Sequence, residues 1–175
     1  IQIGLDSGRL ADGLARLFRR VKAADEMLDY KGTGMSVMEM SHRSSLFVEI
    51  FAEAKQKLRA ALNVPDSHEI LFLQGGATLQ FAAIPLNLMG ERRCADYAVT
   101  GNFSSLAAKE AEKYGKVHIA CSSSDRGHSY IPSQLSLSDE SSYFYYCANN
   151  TIYGTEWGYV PETGSVPVSY THLRA

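Results

Sequence analysis

The chain has 175 residues, 45% of them hydrophobic and 21% charged, a composition typical of a soluble globular protein or of part of a larger domain. Its formal net charge of −2 argues against a nucleic-acid-binding surface, and no apolar run reaches the ~20 residues of a membrane-spanning helix. Three cysteines are widely spaced, which predicts reduced thiols and no disulfide framework; they are Cys94, Cys121 and Cys147. The N-terminus lacks an apolar signal segment, and together these features predict a cytoplasmic protein.

The first half of the chain predicts two helices and one short strand. Apolar residues recur at helical spacing over 16–30 and again over 45–62, where Asn63 and Pro65 supply a stop. The run at 69–74 is short, apolar and followed by glycine, as expected of a strand buried in a parallel sheet. The chain is therefore predicted to begin with helices and to enter a sheet at the third of these segments.

The second half alternates helices with strands. The pattern predicts helices over 77–88 and 104–114, the second ended by Gly115 as its left-handed C′ residue, and strands over 95–100, 117–121 and 142–147. Strands and helices of these lengths in alternation indicate an α/β domain with a mostly parallel sheet and flanking helices.

Three polar segments follow predicted strands and are candidate ligand-binding loops. They are Gly-Gly-Ala-Thr at 75–78, Gly-Asn-Phe at 101–103 and Asn-Asn-Thr at 149–151. In open α/β sheets, ligands bind beyond the carboxyl ends of the strands. Because the three loops follow different strands, we expect them to contribute to one site at that edge of the sheet.

The segment at 75–78 has the features of a phosphate site. Two glycines allow the backbone to curl close to a ligand, the free N–H groups of the following helix point outward, and Thr78 adds a hydroxyl donor. The alternative is a simple tight turn in which Thr78 caps the helix. The sequence contains neither a P-loop pattern nor a Gly-x-Gly-x-x-Gly segment after a strand, which disfavours nucleotide sites of those kinds.

An unusual block at 31–44 precedes the second predicted helix. Gly32 and Gly34 permit backbone conformations that other residues avoid. His42 and Arg43 lie at the helix start, where free N–H groups and the helix dipole favour anions. A guanidinium group also binds a carboxylate or a phosphate through a bidentate pair of hydrogen bonds. The block is therefore either an anion-binding element or a solvated His-Arg pair at a helix start.

Four segments together resemble the phosphoserine aminotransferase family, class V aminotransferases that use pyridoxal 5′-phosphate (PLP). The segments are 31–44, 71–81, 95–101 and 149–156, and the resemblance runs in register from about residue 24 to about residue 168. It implies part of the large domain of a fold-type-I PLP-dependent transferase. It also implies a cytoplasmic homodimer that transfers an amino group between L-glutamate and 3-phosphohydroxypyruvate, giving O-phospho-L-serine in serine biosynthesis.

The resemblance implies that four residues bind the cofactor. Ala77 and Thr78 match the family's contacts to the PLP phosphate, and Thr151 matches another cofactor contact. Phe103 stands where the family usually has a tryptophan stacked on the pyridine ring. The residues alone leave open a core phenylalanine at Phe103 and an Asx-type turn around Thr151.

The resemblance also implies that two residues of the block at 31–44 bind substrate. Arg43 matches the residue that grips the substrate anion, and His42 assists on the substrate phosphate. The implied substrates are a phosphorylated amino or keto acid and glutamate or 2-oxoglutarate, all of them anions. No metal is implied, and the site is expected to form across a homodimer.

Both ends of the chain depart from the family pattern. We therefore divide the sequence into a divergent segment 1–23, a partial PLP-binding large domain 24–168 and a divergent tail 169–175. No residue matches the lysine that forms the Schiff base with PLP or the aspartate that bonds the pyridine nitrogen. The resulting hypothesis is an N-terminal fragment, a truncated or frame-shifted reading of a longer gene, without transaminase activity by itself.

Two other functions are compatible with these residues. One is a non-catalytic α/β module that binds phosphate, and the other is a different class V PLP enzyme of the same fold. The block at 31–44 disfavours the second. A lysine in a strand-end loop beyond Ala175 would distinguish an enzyme from a binding module.

Overall fold

The computed structural model describes residues 7–172, with side chains from residue 17 onward except that of Arg19. The chain forms two compact units, divided between Leu71 and Phe72. The first six residues of the predicted segment 1–23 and the last three of the predicted tail 169–175 lie outside the described residues. Within residues 7–172, no helix has the length and apolar content needed to cross a bilayer.

The first unit contains two helices joined by a turn-rich segment. Helix α1 spans Ser7–Leu28 and helix α2 spans Ser45–Leu62, with short 3-10 helices at Tyr30–Gly32 and Val37–Glu39 between them. Helix α2 has the predicted bounds. Helix α1 begins earlier and ends earlier than the predicted range of 16–30, because apolar spacing marks the side of a helix more clearly than its ends.

Local side chains explain the bounds of α2. The Ser44 hydroxyl accepts a hydrogen bond from the Phe47 N–H at 3.3 Å and so caps the first turn. At the other end, Asn63 adopts a left-handed conformation with φ 50°. Arg59 then donates to the Pro65 carbonyl at 2.6 Å, which ties the last turn to the loop that follows. The predicted stop at Asn63 and Pro65 is confirmed.

The second unit is a parallel sheet with flanking helices. The elements in chain order are α3 (Gly76–Leu88), β1 (Cys94–Val99), α4 (Asn102–Ala111), β2 (Lys116–Ser122), a 3-10 helix (Ser124–Arg126), β3 (Phe144–Cys147), β4 (Asn149–Asn150), β5 (Thr155–Glu156) and β6 (Val168–Thr171). The sheet contains β2, β1, β3 and β6 side by side in that order, all parallel, while β4 and β5 form a separate antiparallel pair. This arrangement confirms the predicted α/β class with a mostly parallel sheet.

The two central strands of the sheet, β1 and β3, are buried on both faces. On one face, Tyr97 of β1 and Tyr145 of β3 pack against apolar residues of α3 and α4. On the other face, Ala98 and Tyr146 belong to a cluster that contains Trp157. Because successive strand residues point to opposite faces, burial on both sides requires apolar residues at nearly every position. This explains why these strands read as continuous apolar runs in the sequence.

The predicted strand at 69–74 is wrong. These residues form no strand, and the side chains of Leu71 and Leu73 are 70% and 63% exposed. A strand exists only through hydrogen bonds to a neighbouring strand, which the hydrophobicity of one segment cannot specify. In the described part of the chain, the parallel sheet begins at β1 instead.

Helix α4 also differs from its predicted range of 104–114. It begins at Asn102 and ends at Ala111. Gly115 does not adopt the left-handed conformation predicted after the helix. Only glycine fits at this position, because an added Cβ would overlap the Arg93 carbonyl oxygen and lie 2.9 Å from the Arg93 carbonyl carbon.

The three thiols are free, as predicted. Cys94 and Cys147 are buried, and Cys121 is half-buried. Burial raises the pKa of the Cys121 thiol to about 11 and also raises the pKa of Cys147. Thiols with raised pKa values are weak nucleophiles at neutral pH, so Cys121 and Cys147 have the character of core residues.

Candidate functional site

The carboxyl ends of three neighbouring strands bring loops to one edge of the sheet. Residues 100–103 follow β1, residues 123–128 follow β2, and residues 149–155 follow β3. Helix α3 runs opposite to β3 and so begins toward this edge. Just after the helix ends, the Met89 carbonyl accepts from the Ser142 hydroxyl before β3 at 2.7 Å, and the Phe81 ring within the helix packs against Tyr145 of β3. The predicted segments 101–103 and 149–151 are in direct contact there, through Gly101 and Asn150.

Asn150 connects the loops after β1 and β3. Its side chain is 4% exposed, and its Nδ2 donates to the hydroxyls of Thr100 at 3.3 Å and Thr155 at 3.0 Å. Gly101 permits this approach, because a Cβ at that position would lie 2.6 Å from the Asn150 Oδ1. The Asn150 amide therefore bridges separate segments and does not close the Asx-type turn that was the alternative for this loop.

The Ser104 hydroxyl sets the start of α4. It accepts hydrogen bonds from the N–H groups of Thr100 at 2.9 Å and Gly101 at 3.0 Å, and it donates to the Gly101 carbonyl at 2.9 Å. These bonds fix the chain just before Phe103. The Phe103 side chain is half-buried and packs against the core cluster of the α3 and α4 face, which leaves part of its ring accessible.

Thr151 lies in the turn between β4 and β5 and is exposed. The Gly154 N–H donates to the Asn150 carbonyl at 2.8 Å, and Gly154 has φ 68°, so the turn is tight. The hydroxyl of Tyr153 in the same turn donates to Asn102 Oδ1 at 2.7 Å. The structure thus places Thr151 in a turn that is bonded to the start of α4.

The start of α3 has the predicted glycine turn directly before the helix. Gly75 and Gly76 are both left-handed, with φ 82° and 56°, and a Cβ at Gly75 would lie 2.5 Å from the Leu79 Cβ. Gly75 is the N-cap residue and no side chain caps the helix, so the alternative in which Thr78 serves as the cap is wrong. Thr78 is exposed in the first turn, and Ala77 is half-buried. The first N–H groups of a helix have no intrahelical partner and point outward.

His42 and Arg43 lie in the first unit, in an exposed turn directly before α2, as predicted. The Ser41 hydroxyl accepts from the Arg43 N–H at 3.3 Å, and the Ser44 hydroxyl donates to the Ser41 carbonyl at 2.8 Å. These bonds use backbone groups of the turn, so the Arg43 guanidinium takes no part in holding it. The cofactor candidates, in contrast, all lie in the second unit.

A buried carboxylate in the sheet was not predicted from the sequence. Asp96 is 0% exposed, its Oδ1 lies 2.7 Å from His118 Nδ1, and its Oδ2 accepts from the Ser138 N–H at 3.0 Å. The Asp96 carboxylate therefore ties the long segment before β3 to β1 and β2. Across residues 7–172, no cluster of three or more His, Cys, Asp or Glu side chains is arranged to hold a metal ion.

Sequence reasoning also missed the side chains that join the loops, namely Ser104, Tyr153, Thr155 and His128. Tyr153 and its partner Asn102 are 51 positions apart, and Thr100 and Asn150 are 50 apart. No local pattern identifies pairs at such separations. A signal was present only for Asn150, which lies beside Thr151 in a segment predicted to follow a strand.

Comparison with known proteins connects this geometry to one family. The model of the family "Aminotransferase class-V" matches residues 15–168. The chain is 49% identical over 150 residues to a phosphoserine aminotransferase of Paraburkholderia phymatum and 47% identical over 149 residues to one of Pseudomonas aeruginosa. Both alignments cover 84% of this chain but only 42% and 41% of the relatives, so the chain spans about two fifths of their length.

Solved structures agree with the sequence relatives. A phosphoserine aminotransferase from Bacillus circulans subsp. alkalophilus matches with a TM-score of 0.81 at 40% identity. A PLP-bound phosphoserine aminotransferase from Trichomonas vaginalis matches with a TM-score of 0.76 at 37% identity. Each match covers 85% of this chain and 42% of the other chain.

Proposed function

Because the chain belongs to the class V aminotransferase family, we propose that it acts within a phosphoserine aminotransferase. The reaction is transfer of an amino group between L-glutamate and 3-phosphohydroxypyruvate, giving O-phospho-L-serine in serine biosynthesis. The observation that carries the proposal is 47% to 49% identity to proteins of that name over 84% of the chain. The proposed setting is a cytoplasmic homodimer that binds neither nucleic acid nor membrane.

The proposed cofactor is PLP, with its phosphate at the start of α3. Ala77 and Thr78 hold the phosphate through helix-start N–H groups and the Thr78 hydroxyl. The two left-handed glycines and the exposed Thr78, which is not used as a cap, support this assignment. When bound, PLP supplies an electron sink for the amino-acid substrate.

The pyridine ring is proposed to lie between Phe103 and the Thr151 turn. Phe103 supplies an apolar aromatic face, and Thr151 supplies a hydroxyl for a polar group on the ring. The accessible part of Phe103 and the exposed Thr151 support these roles. The bonds of Ser104 and Asn150 keep both residues in place before the ligand arrives, which lowers the ordering cost of binding.

The substrate anions are proposed to bind at Arg43, assisted by His42. Both side chains are exposed at the start of α2, and the structure of the turn does not depend on the guanidinium. A free guanidinium at a helix start suits a carboxylate or a phosphate, since the charge, the fork of donors and the helix dipole all favour an anion.

Thr78→Val is expected to weaken binding of pyridoxamine 5′-phosphate by roughly one to two orders of magnitude. The change keeps the side-chain shape but removes a donor to a charged group, and such bonds contribute roughly 1.5–3 kcal/mol. Pyridoxamine 5′-phosphate has no aldehyde, so isothermal titration reports the pocket without a Schiff base. Thr78→Ser keeps the hydroxyl and should bind like the unaltered chain. Equal affinity in the Val variant would refute the role of Thr78.

A chimera tests the proposed activity. Residues 15–168 of this chain would replace the matching segment of the Paraburkholderia phymatum relative. We expect the chimera to release 2-oxoglutarate from glutamate in the presence of 3-phosphohydroxypyruvate. A folded chimera that binds pyridoxamine 5′-phosphate but does not transfer the amino group would favour a non-catalytic phosphate-binding module.

A further inference from the structure

His128 connects the loop after β2 to the other loops of the site. Its imidazole ring meets the ring of Tyr153 edge to face, with centroids 5.0 Å apart and planes at 64°. The Tyr153 hydroxyl in turn donates to Asn102 Oδ1 at 2.7 Å. The ring contact and this hydrogen bond together join three loops that follow three different strands.

Ser123 gives His128 a fixed anchor. The Ser123 side chain is 0% exposed, and its hydroxyl lies 3.3 Å from His128 Nδ1. Its N–H donates to the Val99 carbonyl at 3.2 Å, at the end of β1, and its carbonyl accepts from the His128 N–H at 2.9 Å. The imidazole is therefore held from the sheet side and presents its ring to Tyr153.

The backbone at His128 is unfavourable for a residue with a side chain. It has φ 60°, in the left-handed region, and follows Gly127 with φ 59°. Glycine adopts this conformation without a steric penalty, whereas other residues do not. The contacts of the imidazole with Ser123 and Tyr153 must therefore offset that penalty.

The partner of His128 lies in the turn that carries Thr151. The N–H groups of Tyr153 and Gly154 both donate to the Asn150 carbonyl, at 3.1 Å and 2.8 Å. Two kinds of contact thus hold the turn: its own hydrogen bonds to the Asn150 carbonyl, and the packing of the Tyr153 ring against the imidazole of the loop after β2. Any freedom of that ring would be transmitted to Thr151, two residues away.

We propose that His128 is a positioning residue, which packs against Tyr153 and so holds the Thr151 turn against the start of α4. It touches neither cofactor nor substrate and acts through Tyr153 and Asn102. The functional part of this inference rests on the proposed function, in which Thr151 and Phe103 face the PLP ring. The structural part of the inference, that the ring contact orders the turn, does not rest on the proposed function.

Hydrogen exchange on the full 175-residue chain tests the structural part. In His128→Gly, we expect the amides of Tyr153 and Gly154 to exchange roughly three- to tenfold faster, since an aromatic ring contact is lost. The melting temperature should be unchanged or raised, because glycine removes the left-handed penalty. In His128→Phe, which keeps a ring but loses the bond to the Ser123 hydroxyl, exchange at these amides should be slower than in His128→Gly.

The outcomes separate the proposal from a merely structural role. Asn63→Gly relieves the same kind of backbone penalty at φ 50° in the first unit and should leave exchange at Tyr153 unchanged. If His128→Gly lowers the melting temperature, Tyr153→Leu removes the contact from the other side and should give the same faster exchange at Gly154. Unchanged exchange in both ring-less variants, or exchange in His128→Phe as fast as in His128→Gly, overturns the proposal.

Ligand titration distinguishes this inference from the proposed function. If the inference and the proposed function are both right, His128→Gly weakens pyridoxamine 5′-phosphate binding, and His128→Phe binds this ligand more tightly than His128→Gly does. Faster exchange in His128→Gly with no effect on ligand affinity would support the positioning of the turn and count against Thr151 as a cofactor contact. Weaker binding with unchanged exchange would overturn the positioning role and leave the PLP site in place.

Discussion

Arg43→Lys is expected to lower kcat/KM of the chimera for 3-phosphohydroxypyruvate by about one to two orders of magnitude. Lysine keeps the positive charge but cannot reproduce the bidentate hydrogen bonds of a guanidinium to an anion. Hydrogen bonds to charged groups contribute roughly 1.5–3 kcal/mol, which corresponds to this loss of rate. The measurement is steady-state kinetics at varied substrate concentration, with affinity for pyridoxamine 5′-phosphate determined in parallel.

The structure predicts that this substitution leaves the fold intact. Arg43 is exposed, and the bonds that form its turn come from backbone groups and from the hydroxyls of Ser41 and Ser44. Arg20→Lys, at an exposed position on α1, is the matched control and should leave kcat/KM unchanged. If Arg43→Lys reduced cofactor affinity as much as Thr78→Val does, the proposed separation of substrate and cofactor residues would be wrong.

Gly115→Ala is expected to destabilise the second unit by about 2–3 kcal/mol, the upper part of the range for overpacking. The added Cβ would overlap the Arg93 carbonyl oxygen, which accepts the Lys116 N–H at 2.7 Å where the pairing of β1 and β2 begins. A backbone carbonyl cannot rotate away as a flexible side chain can. For a chain of this size, such a loss corresponds to a melting temperature lower by about 5–10 °C.

Trp157 reports on this unfolding directly. It is the single tryptophan, it is 7% exposed, and its ring lies 5.0 Å from that of Tyr146 in the core of the second unit. Gly158→Ala is the control, because Gly158 is exposed and an added Cβ there would have no atom within 4 Å. Equal melting temperatures for the two variants would show that the backbone near Arg93 yields easily, contrary to the packing described.

The fold class and the best-defined helix were predictable because both depend on local patterns. The bounds of α2 follow from the apolar spacing, the Ser44 cap and the Asn63 stop, all within a few residues of one another. The left-handed glycines at 75 and 76 were likewise predictable, since a Gly-Gly pair between two apolar segments indicates a turn. The resemblance to one family came from segments of this local kind.

The site was predictable only in part. The loops that contain Phe103 and Thr151 were found because they follow strands, yet the side chains that hold those loops were not. Asn150 and Thr100 are 50 positions apart, and the ring contact of His128 with Tyr153 joins loops after different strands. Such contacts depend on the order and direction of the strands, which composition and periodicity do not specify.

Four features could be predicted from neighbouring residues, namely the α/β class, the extent of α2, the glycine turn before α3 and the family. Three others became evident only in the folded chain: residues 69–74 form no strand, Gly115 is required by the nearby Arg93 carbonyl, and Asp96 is buried against His118. Each of these three depends on a partner distant in sequence. Strand pairing, close packing and burial are properties of two segments brought together, so neither segment specifies them alone.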